Sequence, residues 1–411
     1  MFKVLILLLI PLTAFSQQEI KEVKITGLKR TKENFIRHFI TSQRGEVYDS
    51  LKVERDRQQI INLEIIGNVS IEKSMYEDGI ILTFHCTELI NTIPIFALGK
   101  TNETFWFRAG VQDANLGGKG NKVVAYYQYY DRHSGYLNYL ATRIKNSPWG
   151  FSLNFIKWAI IEPLSYEQSV LSYDYNNLTS GFSVIHHLSF KENIECGVYG
   201  FQEEYSLREE VQDVIPIESV ERKGGLFKCI FRSNHIDFTT FYLQGFSIQL
   251  NTEIIRRAQD ASLFFISFND FKYFKRAGQK GNLATRFRIG LSSNEENPFA
   301  PFILDSYLNI RGVGNRVDRG TGSVIANVEY RHTFFDKNLV ATQAVAFVDF
   351  GTWRKPGGNF SDFTDPHNMS TFSGLGLRFI YKRAFDTMLR VDYGFNFNNS
   401  GGFVVGIGQY F

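Results

Sequence analysis

Two residue types at one spacing carry the chemistry of this 411-residue chain. Ile310-Arg311-Gly312 heads a loop punctuated by Gly320 and Gly322, and Phe347-Val348-Asp349-Phe350-Gly351 closes an alternating strand soon after. A guanidinium offered by a loop and a carboxylate fixed in a wall can form a bidentate, charge-assisted pair. That chemistry holds a segment in place and breaks no bond. Glu329 and Arg331 alternate with Val328 and Tyr330, so both take the charged side of their strand, and Glu329 is expected as a second acidic neighbour of Arg311. Signatures of catalysis are missing: there is no GxSxG, HExxH or P-loop. His186 and His187 are adjacent on a strand, face opposite ways and cannot share a metal. Cys86, Cys196 and Cys229 are odd in number, far apart in the chain and without a CxxC, and read as packing residues. The sequence therefore predicts a protein that is not an enzyme and takes no cofactor or metal.

The elements that position Arg311 and Asp349 follow from the rest of the chain. Lys3, the apolar run from Val4 to Ile10, and Ala14 and Ser16 form a secretory signal, with cleavage expected before Gln17. No later stretch offers 18 consecutive apolar residues, so a mature chain that spans a membrane must do so as a closed barrel. The 39 Phe and 20 Tyr, with few Pro and Cys, suit lipid-facing strands with aromatic girdles. A net charge of +3 is too near balance to imply nucleic acid.

Residues 17–92 read as a compact β-α-α-β-β unit. Val23 and Ile25 alternate with polar neighbours and Gly27 turns the chain. Thr31 is placed to cap a helix with Phe35, Ile36, Phe39 and Ile40 on one face, and Asp49 or Ser50 a second that buries Leu51, Ile60, Ile61 and Leu63. Strands over 68–74 and 80–87 follow, joined at Glu77-Asp78-Gly79.

Residues 93–411 show runs of roughly ten residues between turns, the signature of a membrane barrel. About eleven strands are expected before residue 300, beginning near 105, 121, 136, 150, 168, 181, 194, 225, 236, 262 and 283, and about five more near 323, 341, 372, 386 and 402. The fold expected is mainly β: a 16-stranded antiparallel transmembrane barrel after one small α+β domain. Counting from 105, the long connections 206–223, 294–322 and 352–370 fall at the outer end and the tight ones at Arg132-His133-Ser134, Lys191-Glu192 and Lys382-Arg383-Ala384 at the inner. Late strands alternate: Leu375, Leu377, Phe379 and Tyr381 oppose Gly374, Gly376 and Arg378, and Leu389, Val391, Tyr393 and Phe395 oppose Arg390, Asp392 and Gly394. The charged sets should line the interior, with Asp349 inward beside Val345 and Phe347. In the last strand Phe403, Val405, Ile407 and Phe411 share one face, and Val404, Gly406, Gly408 and Tyr410 the other.

Residues 19–90, with Gly27, Gly45-Glu46-Val47-Tyr48 and the hairpin ending at Glu88, resemble a POTRA domain, a periplasmic module of outer-membrane assembly proteins. Ile310-Arg311-Gly312, Gly320, Gly322, Glu329-Tyr330-Arg331, Phe347 to Gly351 and Asn115-Leu116-Gly117-Gly118-Lys119-Gly120 resemble the outer-membrane protein assembly factor superfamily, of BamA, TamA and two-partner secretion transporter type. The resemblance implies a loop folded back into the barrel, with Arg311 paired to Asp349. It also implies a client-binding edge strand at Asn68, Val69, Ser70 and Ile71, and a C-terminal insertion signal spanning Phe403, Val405, Gly406, Ile407, Gly408 and Phe411. The first and last strands would form a seam, between about Phe105–Asp113 and Phe403–Phe411, that opens toward lipid. Implied with these are an outer-membrane location with the N-terminal domain in the periplasm, outer-membrane lipid and client outer-membrane or secreted proteins as partners, and a place for a periplasmic or lipoprotein accessory. The function implied is outer-membrane protein assembly or translocation. A dedicated two-partner secretion transporter and a passive diffusion channel are the alternatives.

Overall fold

The computed structural model describes residues 18–77, 79–101, 104–166, 169–208, 217–259, 262–293, 301–303, 309–313, 319–384, 388–397 and 400–411. The segment expected as a secretory signal, Asp78, and parts of the connections expected at 206–223 and 294–322 lie outside the described residues.

The N-terminal unit comprises β1 (Glu19–Thr26), α1 (Glu33–Arg37), α2 (Ser50–Ile61), β2 (Ile66–Tyr76) and β3 (Gly79–Glu88). Its sheet runs β1-β3-β2, with β1 parallel to β3 and β2 antiparallel. Phe35, Ile36, Ile60, Ile80, Leu82 and Phe84 are at the centre of its core. Asp49 caps α2 by accepting from the Leu51 and Lys52 N–H groups. Two expectations fail here. Thr31 does not cap α1, which starts after Lys32 without a side-chain cap, because its hydroxyl accepts from Asn115 Nδ2 at 2.8 Å and its N–H donates to Glu88. Leu51 is exposed, since the buried face of α2 runs through Val53, Asp56, Ile60 and Ile61.

The remaining chain forms one sixteen-stranded antiparallel sheet. Its first half is β4 (Thr92–Thr101), β5 (Thr104–Leu116), β6 (Asn121–Tyr130), β7 (His133–Ala141), β8 (Trp149–Tyr166), β9 (Ser169–His187), β10 (Glu192–Leu207) and β11 (Ser219–Thr239). The chain continues through β12 (Tyr242–Arg257), β13 (Leu263–Ala277), β14 (Gly281–Ser292), a small hairpin of β15 (Phe302–Ile303) and β16 (Arg319–Gly320), then β17 (Gly322–Lys337), β18 (Val340–Arg354), β19 (Met369–Tyr381), β20 (Met388–Phe395) and β21 (Gly401–Ile407). Outward positions such as Val198, Phe265, Val348, Leu375, Phe403 and Val405 leave apolar side chains exposed, while inward Glu329, Arg331, Gln343, Arg378 and Asp392 are buried. No helix among the described residues is long and apolar enough to cross a membrane.

The strand count agrees with expectation through two errors that cancel. The first strand is β4, which begins at Thr92 and carries Pro94, and β9 is one long strand where two were expected near 168 and 181. The register of the early strands shifts accordingly. The loop from Asn115 to Gly120 joins the second strand to the third at the end beside the N-terminal unit, and the turn at Arg132 lies at the opposite end. Beyond β9 the assignment of ends holds, and β10, β14 and β18 each end on the side far from the N-terminal unit.

The N-terminal unit is tied to the near rim of the barrel. Lys32 N–H donates to Gly118 O at 2.9 Å, and Arg30 Nη2 reaches Asp113 Oδ2 at 2.6 Å. Asn62 Nδ2 donates to Asp237 Oδ1 at 2.9 Å, and Phe190 meets His38 edge-on and Phe39 at a tilt. Gly120 has φ +67 and lies against Phe35, where a Cβ would come within 2.4 Å of the ring. The Gly117-Gly118-Lys119-Gly120 turn is thus a docking surface for α1.

Candidate functional site

The site is the point where the loop between β14 and β17 enters the barrel. Ile310 is fully buried in a pocket with Val313, Ile325, Trp353 and Phe372, which anchors the loop tip by apolar burial. Gly312 has φ +90, and a Cβ there would fall 2.4 Å from Gly394 O on β20. The tip and the wall meet glycine against glycine, which lets Arg311 pass between them. Gly374 and Gly376 make room on β19 in the same way, one for the Phe347 ring and the other for the Asp392 carboxylate.

Arg311 is fully buried and gives Asp349 three hydrogen bonds: from its backbone N–H at 3.0 Å and Nε at 2.8 Å to Oδ2, and from Nη2 at 2.9 Å to Oδ1. Its Nη1 donates to Glu329 Oε2 at 2.6 Å and lies 3.5 Å from Asp392 Oδ2. Glu329 also accepts from Arg331 Nε at 2.5 Å, and Asp392 from Arg378 at 2.6 and 3.2 Å. The cations Arg311, Arg331 and Arg378 are paired with the anions Glu329, Asp349 and Asp392, all at most 1% exposed. Buried ions persist only when so paired. Asn327 braces the arrangement by donating to Asn309 O at 2.9 Å and Asp349 Oδ1 at 2.8 Å. The Arg311 guanidinium also lies 3.6 Å from the Phe347 ring centroid.

Arg319, at the other foot of the same loop, bonds Glu162 on β8. The loop is therefore tied to β17, β18 and β20 through Arg311 and to the first half of the barrel through Arg319. The sequence reading missed Asp392, Arg378, Asn327 and Glu162 as members of the site. Alternation had already turned Arg378 and Asp392 inward, but their contact with Arg311 depends on barrel curvature, which periodicity does not report.

The chain end differs from expectation. Phe403, Val405 and Ile407 face outward, but Gly408 has φ +86 and turns Gln409, Tyr410 and Phe411 into the interior. Tyr410 is buried, with its ring 4.3 Å from the Arg311 guanidinium and 5.0 Å from that of Arg390. Phe411 stands 5.2 Å from Arg286, its backbone oxygen accepts from Arg331 at 3.4 Å, and Gln409 accepts from Arg378 at 3.2 Å. The inward arginines hold these aromatic rings in the interior, so Phe411 does not share the outer face of Phe403. Gly406 faces Arg390, whose Nη2 would lie 2.8 Å from a Cβ there.

Among the described residues no ladder joins β4 to β21, and these two strands are the ends of the sheet. A lone bridge between Ile90 and Ala384, with Ile90 N–H donating to Arg383 O at 2.8 Å, links the two sides at the near rim. The seam lies at β4 rather than at Phe105–Asp113, which pairs on both sides. In the N-terminal unit, the outer edge of β1 is covered by the 45–48 segment, with Ile20 N–H donating to Glu46 O and Tyr48 N–H to Gln18 O, both at 2.8 Å. β2, which contains Asn68, Val69, Ser70 and Ile71, is the other edge of that sheet; Val69 is in the core and Asn68 and Ser70 are exposed.

Comparison with known proteins agrees with this geometry. Residues 18–89 match the family model described as POTRA, surface antigen variable number repeat. BamA from Haemophilus ducreyi, in a structure lacking POTRA domains 1–3, is similar over 95% of this chain and 84% of its own, at TM-score 0.56 and 13% identity. CdiB from Acinetobacter baumannii is similar over 96% of this chain and 74% of its own (TM-score 0.56, 12% identity). CdiB from Escherichia coli gives 95%, 75%, 0.57 and 12% for the same measures. The chain has the fold of these BamA and CdiB structures. Within that fold the N-terminal unit matches a POTRA domain and is docked on the barrel. A search of the curated proteins finds no match.

Proposed function

We propose that this protein acts, without catalysis, in the assembly of outer-membrane proteins or in their translocation across that membrane. A client segment in extended form pairs with the free edge of β2 or enters at the gap between β4 and β21. The observation that carries this reading is that gap: two strand edges with no partner strand, in a sheet whose other fourteen strands are paired on both sides. Unpaired edges attract a further strand through backbone hydrogen bonds with little demand on sequence. The exposed apolar outer face supports placing the barrel in the outer membrane, with the POTRA end in the periplasm.

Likeness to CdiB keeps a dedicated two-partner transporter as the second reading. A passive channel is disfavoured by an interior occupied by the Arg311 loop and by Tyr410. Depletion followed by comparison of the outer-membrane and surface proteomes tests the proposal. Loss of several barrel proteins supports assembly, loss of one secreted protein supports the dedicated transporter, and unchanged proteomes overturn both.

A further inference from the structure

The outer wall of β5 to β8 carries two adjacent cross-strand rows of unequal side chains. One runs Val111, Ala125, Leu137, Phe155, and the next Ala109, Tyr127, Gly135, Lys157. Small residues thus lie between large ones, and they leave an apolar groove of about 420 Å³. Its floor is open at Gly135, where a Cβ would meet nothing within 4 Å. Its walls, Val111, Tyr127, Leu137 and Phe155, are between 41% and 48% exposed.

The groove ends at a cation. Lys157, the register partner of Gly135, is exposed on this outer face and has no hydrogen-bond or ion-pair partner among the described residues. Beside it, Tyr127 and His133 are joined through Tyr127 Oη and His133 Nδ1 at 2.6 Å. β6 and β7 are 10 and 9 residues long, close to one hydrocarbon thickness, so their turn at Asp131-Arg132 marks the far interface. Gly135 and Lys157 sit just inside that level. A lysine on a lipid-facing wall is costly unless its ammonium reaches upward to the head groups.

We propose that this groove binds one anionic phospholipid, with an acyl chain over Gly135 between Tyr127 and Phe155 and the phosphate on the Lys157 ammonium. The inference rests on the membrane placement proposed above. The site lies close to the gap beside β4, on the strands that a client entering there would meet.

The test is native mass spectrometry of the full chain released from bilayers of mixed phosphatidylglycerol and phosphatidylcholine. The wild type should retain one phosphatidylglycerol with at least a tenfold preference over phosphatidylcholine. Lys157→Gln should abolish the preference, and Gly135→Leu, which fills the groove, should remove retained lipid of either kind. Equal retention of the two lipids by the wild type, or a preference that survives either substitution, overturns the proposal. Heat-modifiable migration on gels reports folding independently. A chain that does not fold into bilayers at all counts instead against the membrane reading.

Discussion

The Arg311 guanidinium is clasped to Asp349 through Nε and Nη2 while the Arg311 backbone N–H bonds the same carboxylate, so loop and wall are joined at main chain and side chain together. Arg311→Ala strips Asp349 of the arginine that clasps it and leaves Glu329 with Arg331 and Asp392 with Arg378. Removing one partner of a buried pair costs about 3 to 5 kcal/mol. Arg311→Ala and Asp349→Ala should each destabilise the barrel by that order, and the double variant by much less than their sum. Purely additive losses in a denaturant double-mutant cycle, read by heat-modifiable gel migration, would count against the clasp.

Tyr410 couples the last strand to the same arginine. Tyr410→Ala removes stacking on Arg311 and Arg390 and should cost roughly 1 to 2 kcal/mol. Gly408→Ala strains the positive φ that turns the tail inward, costing roughly 1 kcal/mol. Both should raise protease access to residues 409–411 while the rest of the barrel stays intact. Unchanged cleavage would show that the tail is not held by these contacts.

The gap between β4 and β21 should matter to activity. Phe96→Cys and Val405→Cys, both exposed, can be joined by a bifunctional maleimide. The joined form should lose client handling, with recovery when a cleavable linker is cut. Full activity in the joined form would rule out entry at this gap.

The docked POTRA domain should be sensitive to acid. Burial pushes the Glu88 carboxyl up, but bonds from the Thr31 hydroxyl and from backbone N–H groups of residues 29–31 outweigh it and hold the group below the ordinary glutamate range. A depressed folded-state value means that the stabilisation is fully present above the unfolded value and is lost as pH falls through the folded one. Glu88 fixes the 30–31 turn, from which Arg30 reaches Asp113. Protease nicking between residues 88 and 92 should therefore rise as pH drops below the ordinary glutamate range, and Glu88→Gln should show the raised rate already at neutral pH. A flat profile in the wild type would contradict this.

Cys196 and Cys229, far apart in sequence, are direct cross-strand partners on β10 and β11. Opposite residues in antiparallel strands stand close enough for a disulfide. A mild oxidant should link them in the folded barrel, and Cys229→Ser should prevent it. Failure to link would mean that the β10–β11 register is wrong.

The alternating pattern determined by itself that late strands turn Arg378, Arg390 and Asp392 inward and Leu375, Leu389 and Tyr393 outward. It did so because a strand with a polar inner face and an apolar, exposed outer face leaves a period of two in the sequence. The loop motif and Asp349 were legible for a related reason: glycines beside an arginine, and a carboxylate in an apolar strand, break local pattern. β4 was not legible, because Pro94 and a short apolar run look like a linker until a neighbouring strand claims them. Nor was the chain end, where Phe411 reads as one more outward residue until Gly408 turns it. Only the curvature of the tertiary structure could bring Asp392, Glu329 and Tyr410 around one guanidinium. Contacts across a barrel depend on curvature and on long-range register, and neither leaves a trace in the spacing of neighbouring residues.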